Sequence, residues 1–236
     1  MRTDVVIVVA RPEVMEDPRQ RAAAEAILDD ADRAHVARFR FEADRDLALA
    51  SRALQRRALS ACATDVAPEA WRFAADANGR PVITAPVGAP PLVFSAANTR
   101  GLVGCAVADR GELGLDLETH RDDAPADLID RYFAPAERAA LAALPEPERP
   151  RRFVELWVLK EAYLKARGVG LGAIPLEDVA VILDDGPPRL ALAPALADAA
   201  ASWQLALWSP TPSHAAAVCV RRDPAGPDVT LHHRWA

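Results

Sequence analysis

Two segments of the 236-residue chain place acidic and basic side chains at spacings that could assemble a reactive site. The first is residues 114–118, with the sequence GLDLE. Alternate side chains of a β-strand point to the same face about 6.5–7 Å apart, so a strand here brings Asp116 and Glu118 together. Two carboxylates on one face repel each other unless a cation lies between them. The same alternation is also typical of a half-buried strand whose acidic face is solvated.

The second segment is residues 157–165, with the sequence WVLKEAYLK. In a helix Trp157, Glu161 and Lys165 recur every four residues and share a face. Glu161 precedes Lys165, the favourable order for an ion pair, and taken alone this predicts a surface pair worth about 0.2–0.5 kcal/mol. The tryptophan argues against a plain surface pair, because tryptophan is highly buried on average.

If Asp116, Glu118 and Glu161 converge, they offer three hard oxygen ligands. Mg²⁺ prefers oxygen and usually keeps positions for water and substrate phosphate. The five histidines show no zinc-ligand spacing, and His232 and His233 are predicted to lie in an exposed tail. The donor set therefore indicates Mg²⁺ rather than Zn²⁺.

Regular elements must position these side chains. Asp17 followed by Pro18 predicts a helix start. Gly168 is the type of residue that ends a helix in the left-handed conformation. The hydrophobic pattern predicts helices over residues 17–41, 43–61, 125–144 and 149–167, and strands over residues 5–10, 92–96, 102–108, 112–118, 179–183, 203–208 and 215–220.

The two halves of the chain resemble each other loosely. Each has a long helix followed by strands, and each ends in an apolar strand of small residues. This internal similarity predicts an α+β fold of two similar lobes, each with a small antiparallel sheet and a long helix. The lobes are predicted to cover residues 1–110 and 111–236, with a cleft between them as the expected ligand site.

Composition limits the partners and the compartment. The formal net charge is -6, which disfavours nucleic acid as the main partner. Three widely separated cysteines lack metal or redox spacing and predict reduced thiols. The apolar run at residues 5–10 is shorter than a secretory or membrane-spanning segment, so we expect a cytoplasmic protein that does not bind membranes.

Together the two acidic segments resemble the motifs of the Sfp-type 4′-phosphopantetheinyl transferases. That family carries a G-x-D-x-E strand and, some forty residues later, a W-x-x-K-E-A-x-x-K helix with a glycine-rich exit. Residues 114–118, 157–165 and 168–171 match these motifs in order. The resemblance extends over most of the chain, and the W-x-x-K-E-A form is similar to the subgroup tied to polyketide and nonribosomal peptide synthesis.

The resemblance implies a pseudo-two-fold pair of lobes, acting as a monomer, with coenzyme A in the cleft. The N-terminal lobe would bind the nucleotide side, and the C-terminal lobe would hold the metal and the catalytic residues. Asp116, Glu118 and Glu161 would hold Mg²⁺ against the pyrophosphate, and Lys165 would contact the phosphate or hold Glu161. A serine hydroxyl of an apo acyl or peptidyl carrier protein would attack, releasing 3′,5′-ADP. Glu161 or a metal-bound water would be the base, with Glu137 as a further candidate.

Other family positions imply contacts with coenzyme A. Arg45 and Arg80 match basic positions that bind the nucleotide, and Lys160 belongs to the same expected set, as does Lys165. Where the family often has F-N-L-S-H-S, residues 94–99 are FSAANT, so Ala97 and Asn98 replace a serine and a histidine that contact phosphates. Asn98 and Thr99 are still expected at the nucleotide. The missing charge is assigned by proximity to Arg100.

Two other functions remain open. A degenerate family member could hold coenzyme A or a carrier protein without transfer, and the replacements at Ala97 and Asn98 motivate that alternative. Another Mg²⁺-dependent phosphotransferase or hydrolase is disfavoured because neither a phosphate loop nor a nucleophilic aspartate motif is apparent. Apolar side chains at Phe133, Tyr163 and Leu164 are either core residues or docking points for the carrier protein.

Overall fold

The computed structural model describes residues 4–236, which form two compact units. The first unit comprises residues 4–111 together with Thr230–Ala236, and the second comprises Glu112–Val229. Residues 230–236, which the sequence placed in the C-terminal lobe, thus belong to the first unit. None of the helices within residues 4–236 has both the length and the apolar character needed to cross a membrane.

The mixture of helices and small sheets confirms the predicted α+β class. The helices are α1 Pro18–Ala26, α2 Asp30–Ala37, α3 Glu42–Cys62, α4 Ala126–Tyr132, α5 Pro135–Ala143 and α6 Arg149–Arg167. The strands are β1 Asp4–Ala10, β2 Arg72–Ala75, β3 Pro81–Ala85, β4 Val93–Thr99, β5 Leu102–Ala108, β6 Leu113–Thr119, β7 Val179–Ile182, β8 Arg189–Leu192, β9 Trp203–Thr211, β10 His214–Arg221 and β11 Thr230–Trp235.

The first unit is a sheet in the order β11-β1-β5-β4 with α3 packed on one face. β1 and β4 are both antiparallel to β5, whereas β11 runs parallel to β1, so the sheet is mixed rather than antiparallel as predicted. His232 and His233 lie in β11 opposite Val6 and Ile7, which corrects their assignment to a tail. β2 and β3 form a separate hairpin.

The second unit is an antiparallel sheet in the order β6-β10-β9, with α6 packed against β6 and β10. Asp116 lies opposite Ala217 and Glu118 opposite Ala215 in the register of β6 and β10. These alanines, with buried side chains of α6, belong to the apolar core of the unit. β7 and β8 form a second hairpin.

Two predicted helical stretches are each divided into two helices. α1 ends at Ala26, and the side chain of Asp29 accepts a hydrogen bond from the Asp32 amide to start α2. The region 125–144 breaks before Pro135, which stands in the first turn of α5. Proline lacks an amide donor, so it starts a helix more readily than it continues one.

Candidate active site

The site in the second unit depends on a close approach between β6 and α6 at Gly114. A Cβ atom at this position would lie 2.0 Å from the carbonyl oxygen of Ala162 and 2.4 Å from the amide nitrogen of Ala166. Only glycine therefore fits, and the face of β6 that carries Gly114 points to α6. Asp116 and Glu118 lie on that same face, since alternate strand residues share a side.

Asp116 is buried beside the ammonium group of Lys165. Nζ of Lys165 lies 2.6 Å from Oδ1 of Asp116, whose residue is 6% exposed. Oδ2 is also buried, and in the described part of the chain it has no hydrogen-bond partner. Burial raises the pKa of Asp116, and the nearby Lys165 charge opposes that rise. An orphaned buried carboxylate oxygen of this kind is rare in folded proteins and suits a bound cation.

Glu161 of α6 shares this environment. It is half-buried, and burial raises the pKa of its carboxyl, as does the charge of Asp116, while Lys165 acts in the opposite direction. Asp116 and Lys165 thus both act on the carboxyl of Glu161, and the three side chains form one electrostatic cluster. A carboxylate with a raised pKa is a better proton acceptor than an ordinary one.

Glu118 lies one step further along the same face of β6 and is half-buried. Within residues 4–236, however, no three His, Cys, Asp or Glu side chains are close enough to hold a metal ion as they stand. The oxygen donors and the orphaned Oδ2 of Asp116 fit Mg²⁺ in their chemistry. In their present positions, Lys165 supplies the positive charge that Asp116 requires.

Glu137 and Lys160 form a separate buried ion pair. Lys160 is 0% exposed and its Nζ lies 2.6 Å from Oε2 of Glu137, and it also donates to the carbonyl oxygen of Val179. Glu137 accepts from the amides of Ala134 at 2.6 Å and Val181 at 2.8 Å. Burial lowers the pKa of Lys160, and the charge of Glu137 opposes that.

This pair joins α5, α6 and β7 and uses both carboxylate oxygens of Glu137. A fully buried ammonium group cannot touch coenzyme A, so the geometry gives Lys160 a structural position rather than the expected cofactor contact. The carboxylate of Glu137 likewise accepts hydrogen bonds from the start of α5 and from β7. The sequence could not show which of Lys160 and Glu161 is buried, because buried residues lie around most of the circumference of α6.

The side chains expected at the nucleotide lie in the first unit. Nη1 of Arg45 donates to the carbonyl oxygens of Phe39 at 3.1 Å and Arg40 at 2.8 Å. Nη2 of Arg80 lies 3.4 Å from the carbonyl oxygen of Phe94. Thr99 ends β4, and Asn98, the residue before it, is exposed.

Asn98 lines a cavity of about 240 Å³ between α3 and β4, which the sequence did not reveal. Ser51, Arg52 and Gln55 of α3 also line it. Their signal in the sequence is slight: three polar residues within one turn of an otherwise apolar helix face. Arg100 is not among the residues around this cavity.

Phe133, Tyr163 and Leu164 are all core residues, at 0%, 0% and 1% exposure. Their interpretation as docking points is wrong, because no partner protein could reach these side chains. Of the aromatic side chains near them, Trp157 is half-buried and packs against Tyr132, with ring centroids 5.7 Å apart.

Comparison with known proteins identifies the family. The 4′-phosphopantetheinyl transferase superfamily matches residues 112–219, and the N-terminal region of 4′-phosphopantetheinyl transferases matches residues 17–103. The 4′-phosphopantetheinyl transferase HetI of Nostoc sp. is 31% identical over 207 residues, covering 87% of this chain and 82% of that protein. The chain therefore belongs to the 4′-phosphopantetheinyl transferase superfamily, which confirms the resemblance and the assignment as a transferase enzyme.

A more distant relative bears the same family name. The 4′-phosphopantetheinyl transferase Sfp of Bacillus subtilis is 27% identical over 161 residues, covering 68% of this chain and 67% of that protein. The crystal structure of holo-[acyl-carrier-protein] synthase from Neisseria meningitidis is 20% identical with a TM-score of 0.40, covering 48% of this chain and 98% of that one. A likeness that weak does not define the fold or the site of this chain.

Proposed function

We propose that this enzyme transfers the 4′-phosphopantetheine arm of coenzyme A to a serine of an apo acyl or peptidyl carrier protein and releases 3′,5′-ADP. The observation that carries the proposal is the cluster of Asp116, Glu161 and Lys165 in a chain of this family. Two carboxylates with raised pKa values and one ammonium group lie together beside an orphaned buried oxygen. Such a cluster suits a phosphate-bound divalent cation and a proton transfer.

Asp116, Glu118 and Glu161 are the proposed holders of Mg²⁺, with Oδ2 of Asp116 as its first ligand. When bound, Mg²⁺ supplies positive charge against the pyrophosphate oxygens of coenzyme A. The rigid contact at Gly114 holds β6 against α6, so it fixes the strand that carries Asp116 and Glu118 relative to Glu161. Preorganised placement of charged groups is the main contribution a protein makes to phosphoryl transfer.

The carrier serine oxygen forms a bond to the phosphorus that bears pantetheine, and the bond from that phosphorus to 3′,5′-ADP breaks. The proton of the serine hydroxyl passes to a carboxylate oxygen of Glu161. The side chain of Lys165 is 33% exposed, and its ammonium group already contacts Asp116. It can therefore also meet a phosphate oxygen as a point charge.

Glu137 is not required as a base in this scheme. It holds Lys160 and two backbone amides, and thereby the start of α5 against α6. Glu137 and Lys160 are therefore positioning residues. They orient the helix that carries Glu161 and Lys165.

Arg45, Arg80, Asn98 and Thr99 are proposed to bind the nucleotide end of coenzyme A. The cavity beside Asn98 supports this assignment, since Pro81, the neighbour of Arg80, also lines it. Guanidinium groups suit phosphate oxygens because their donors form a planar fork.

We also propose that the enzyme acts as a cytoplasmic monomer in polyketide or nonribosomal peptide synthesis, without binding nucleic acid or membranes. Its three cysteines, Cys62, Cys105 and Cys219, are free thiols, which is typical of a reducing compartment. The net charge of -6 supports the absence of a nucleic-acid partner.

Intact mass spectrometry of apo carrier proteins tests the proposal. Incubation with the enzyme, coenzyme A and Mg²⁺ is expected to add one phosphopantetheine to the carrier, and EDTA is expected to prevent it. No mass gain on acyl or peptidyl carriers, while coenzyme A still binds, would instead support the alternative of a binding protein without transfer. A Lys165 that stays bound to Asp116 in the presence of Mg²⁺ would also support a binding protein without transfer.

A further inference from the structure

A second cavity, of about 330 Å³, lies on a different face of α3 from the cavity beside Asn98. Ala50, Leu54 and Arg57 line it, and their spacings of four and three residues put them on one side of the helix. All of its wall residues belong to the first unit. Its volume falls within the range of about 300–1,000 Å³ that is usual for small-molecule pockets.

The floor of this second cavity is apolar. Ala10, Met15, Ala50 and Leu54 line it, and all four are buried members of the apolar core of the unit. Val14 also lines the cavity and is 40% exposed, so the apolar wall continues to the solvent. Burial of apolar surface against such a wall is favourable, at about 25 cal/mol per Å². The floor is therefore suited to the hydrocarbon part of a small ligand.

Arg57 supplies a positive charge in the same wall. The residue is half-buried, and its guanidinium makes no hydrogen bond or ion pair with any side chain or carbonyl group of residues 4–236. The planar fork of a guanidinium group matches the two oxygens of a carboxylate. A carboxylate on a ligand is thus the natural partner of this cation.

Asp17 supplies the opposite charge. It is exposed at the start of α1, where its Oδ1 accepts a hydrogen bond of 2.8 Å from the amide of Arg19. Asp17 and Arg57 line the same cavity, yet they do not form an ion pair with each other. Gln20 adds a neutral amide to this part of the wall. The polar groups around the apolar floor therefore form a dipolar set, with one cation and one anion left for a ligand.

We propose that this second cavity binds a free α-amino acid with an apolar side chain. The carboxylate of the amino acid pairs with Arg57, its ammonium group pairs with Asp17, and its side chain packs on Met15, Ala50 and Leu54. An aliphatic acid or an aliphatic amine would satisfy only one of the two charges. The inference goes beyond the proposed function, because the second cavity shares no wall residue with the cavity assigned to the nucleotide.

Titration calorimetry of the whole enzyme with L-leucine tests the inference. Two probes with the same branched hydrocarbon separate the charges: 4-methylpentanoate lacks the ammonium group, and 3-methylbutylamine lacks the carboxylate. The native enzyme is expected to bind L-leucine at least about 5-fold more tightly than either probe, because only L-leucine meets both charges.

Charge-removing variants assign each contact. Arg57→Gln keeps a good helix former, and it is expected to weaken L-leucine about 10-fold while leaving 3-methylbutylamine unchanged. Asp17→Asn keeps a residue that caps α1, and it is expected to weaken L-leucine about 3-fold while leaving 4-methylpentanoate unchanged. Arg52→Gln is the matched control on α3, since Arg52 lines only the cavity beside Asn98, and it should bind L-leucine as the native enzyme does.

Ala50→Leu fills the floor without changing a charge, and it is expected to abolish L-leucine binding in an enzyme whose thermal unfolding shows that it is folded. No binding of L-leucine by the native enzyme would overturn the inference. Equal affinity for L-leucine and the two probes would also overturn it, because the charges would then play no part. Binding that is unchanged in both Arg57→Gln and Ala50→Leu would place the amino acid elsewhere and contradict the assignment of this cavity.

Discussion

The ammonium of Lys165 lies 2.6 Å from one oxygen of Asp116, and the second oxygen of that buried carboxylate has no hydrogen-bond partner in residues 4–236. Lys165 therefore neutralises Asp116 without saturating it. The arrangement leaves one oxygen of a buried carboxyl group open to a cation. Activity should depend strongly on Asp116, while folding should depend on it only weakly.

The Asp116→Asn variant tests whether activity depends on Asp116 more strongly than folding does. Loss of the charged ligand should remove several kcal/mol of transition-state stabilisation and slow transfer about 10²- to 10⁴-fold. Thermal stability should hold or rise slightly, because the burial that raises the Asp116 pKa also penalises the charge. Transfer kinetics and thermal unfolding measure the two effects. Asp184→Asn, at an exposed carboxylate paired with Arg189, is the control and should leave transfer unchanged. An active Asp116→Asn enzyme would contradict the metal assignment.

The raised pKa values of Asp116 and Glu161 predict that Mg²⁺ binding releases protons. Their folded pKa values lie above the unfolded ones, so their contribution to folding is favourable below the unfolded values and is lost as the pH rises through the folded ones. Mg²⁺ needs the charged forms, so its affinity should rise with pH over that window, by up to about tenfold per pH unit for each proton released.

Calorimetric titration of Mg²⁺ at mildly acid pH, in two buffers of different ionisation enthalpy, counts these protons. Glu161→Gln should lower the number released. It should also slow transfer about 10²- to 10⁴-fold, the usual range for loss of a general base. Proton release that is the same in the variant and the native enzyme would remove Glu161 from the metal site.

The buried pair of Glu137 and Lys160 predicts a stability effect rather than a binding effect. Glu137→Ala leaves a buried ammonium and two amides without their acceptor, and should cost about 3–5 kcal/mol. Urea unfolding measures this cost, and Glu137→Gln with Lys160→Met should recover part of it. If Lys160→Met instead kept full stability and weakened coenzyme A binding, the cofactor contact expected from the sequence would be restored.

The close approach at Gly114 gives a paired glycine test. In Gly114→Ala the new Cβ would overlap backbone atoms of α6 that cannot move independently, and the variant should lose about 1–3 kcal/mol or more, together with transfer. Gly170→Ala is matched, since a Cβ there meets no atom within 4 Å. Denaturant unfolding and transfer rates compare the two. Equal behaviour of the variants would show that the contact of β6 with α6 is not needed.

Local signals predicted the elements that carry the site. α6 spans Arg149–Arg167, the predicted range, and Gly168 ends it with φ 65°, because glycine accepts this conformation without a steric penalty. β5 also has its predicted bounds. β11 was missed because its partner, β1, is more than 200 residues away in the sequence, and pairing over such a separation leaves no local trace.

The same limit applies to the site residues. Strand and helix periods pair Asp116 with Glu118 and Glu161 with Lys165, whereas only the family resemblance implied that the two segments meet. Burial determines that Glu161, and not its neighbour Lys160, belongs to the site. Lys160 is buried by its contacts with α5 and β7, which are separate segments of the sequence. The cavity beside Asn98 is lined by residues of α2, α3, β3 and β4, which no single segment could indicate.

The central claim is tested most directly by a high-resolution structure of the enzyme with Mg²⁺ and coenzyme A. The anomalous signal of substituted Mn²⁺ would identify the metal. We predict Mg²⁺ about 2.0–2.1 Å from Oδ2 of Asp116, with Glu161 and Glu118 turned toward it and the pyrophosphate completing its shell. A metal bound elsewhere, with Lys165 still the sole charged partner of Asp116, would contradict the assignment of this carboxylate cluster as the catalytic metal site.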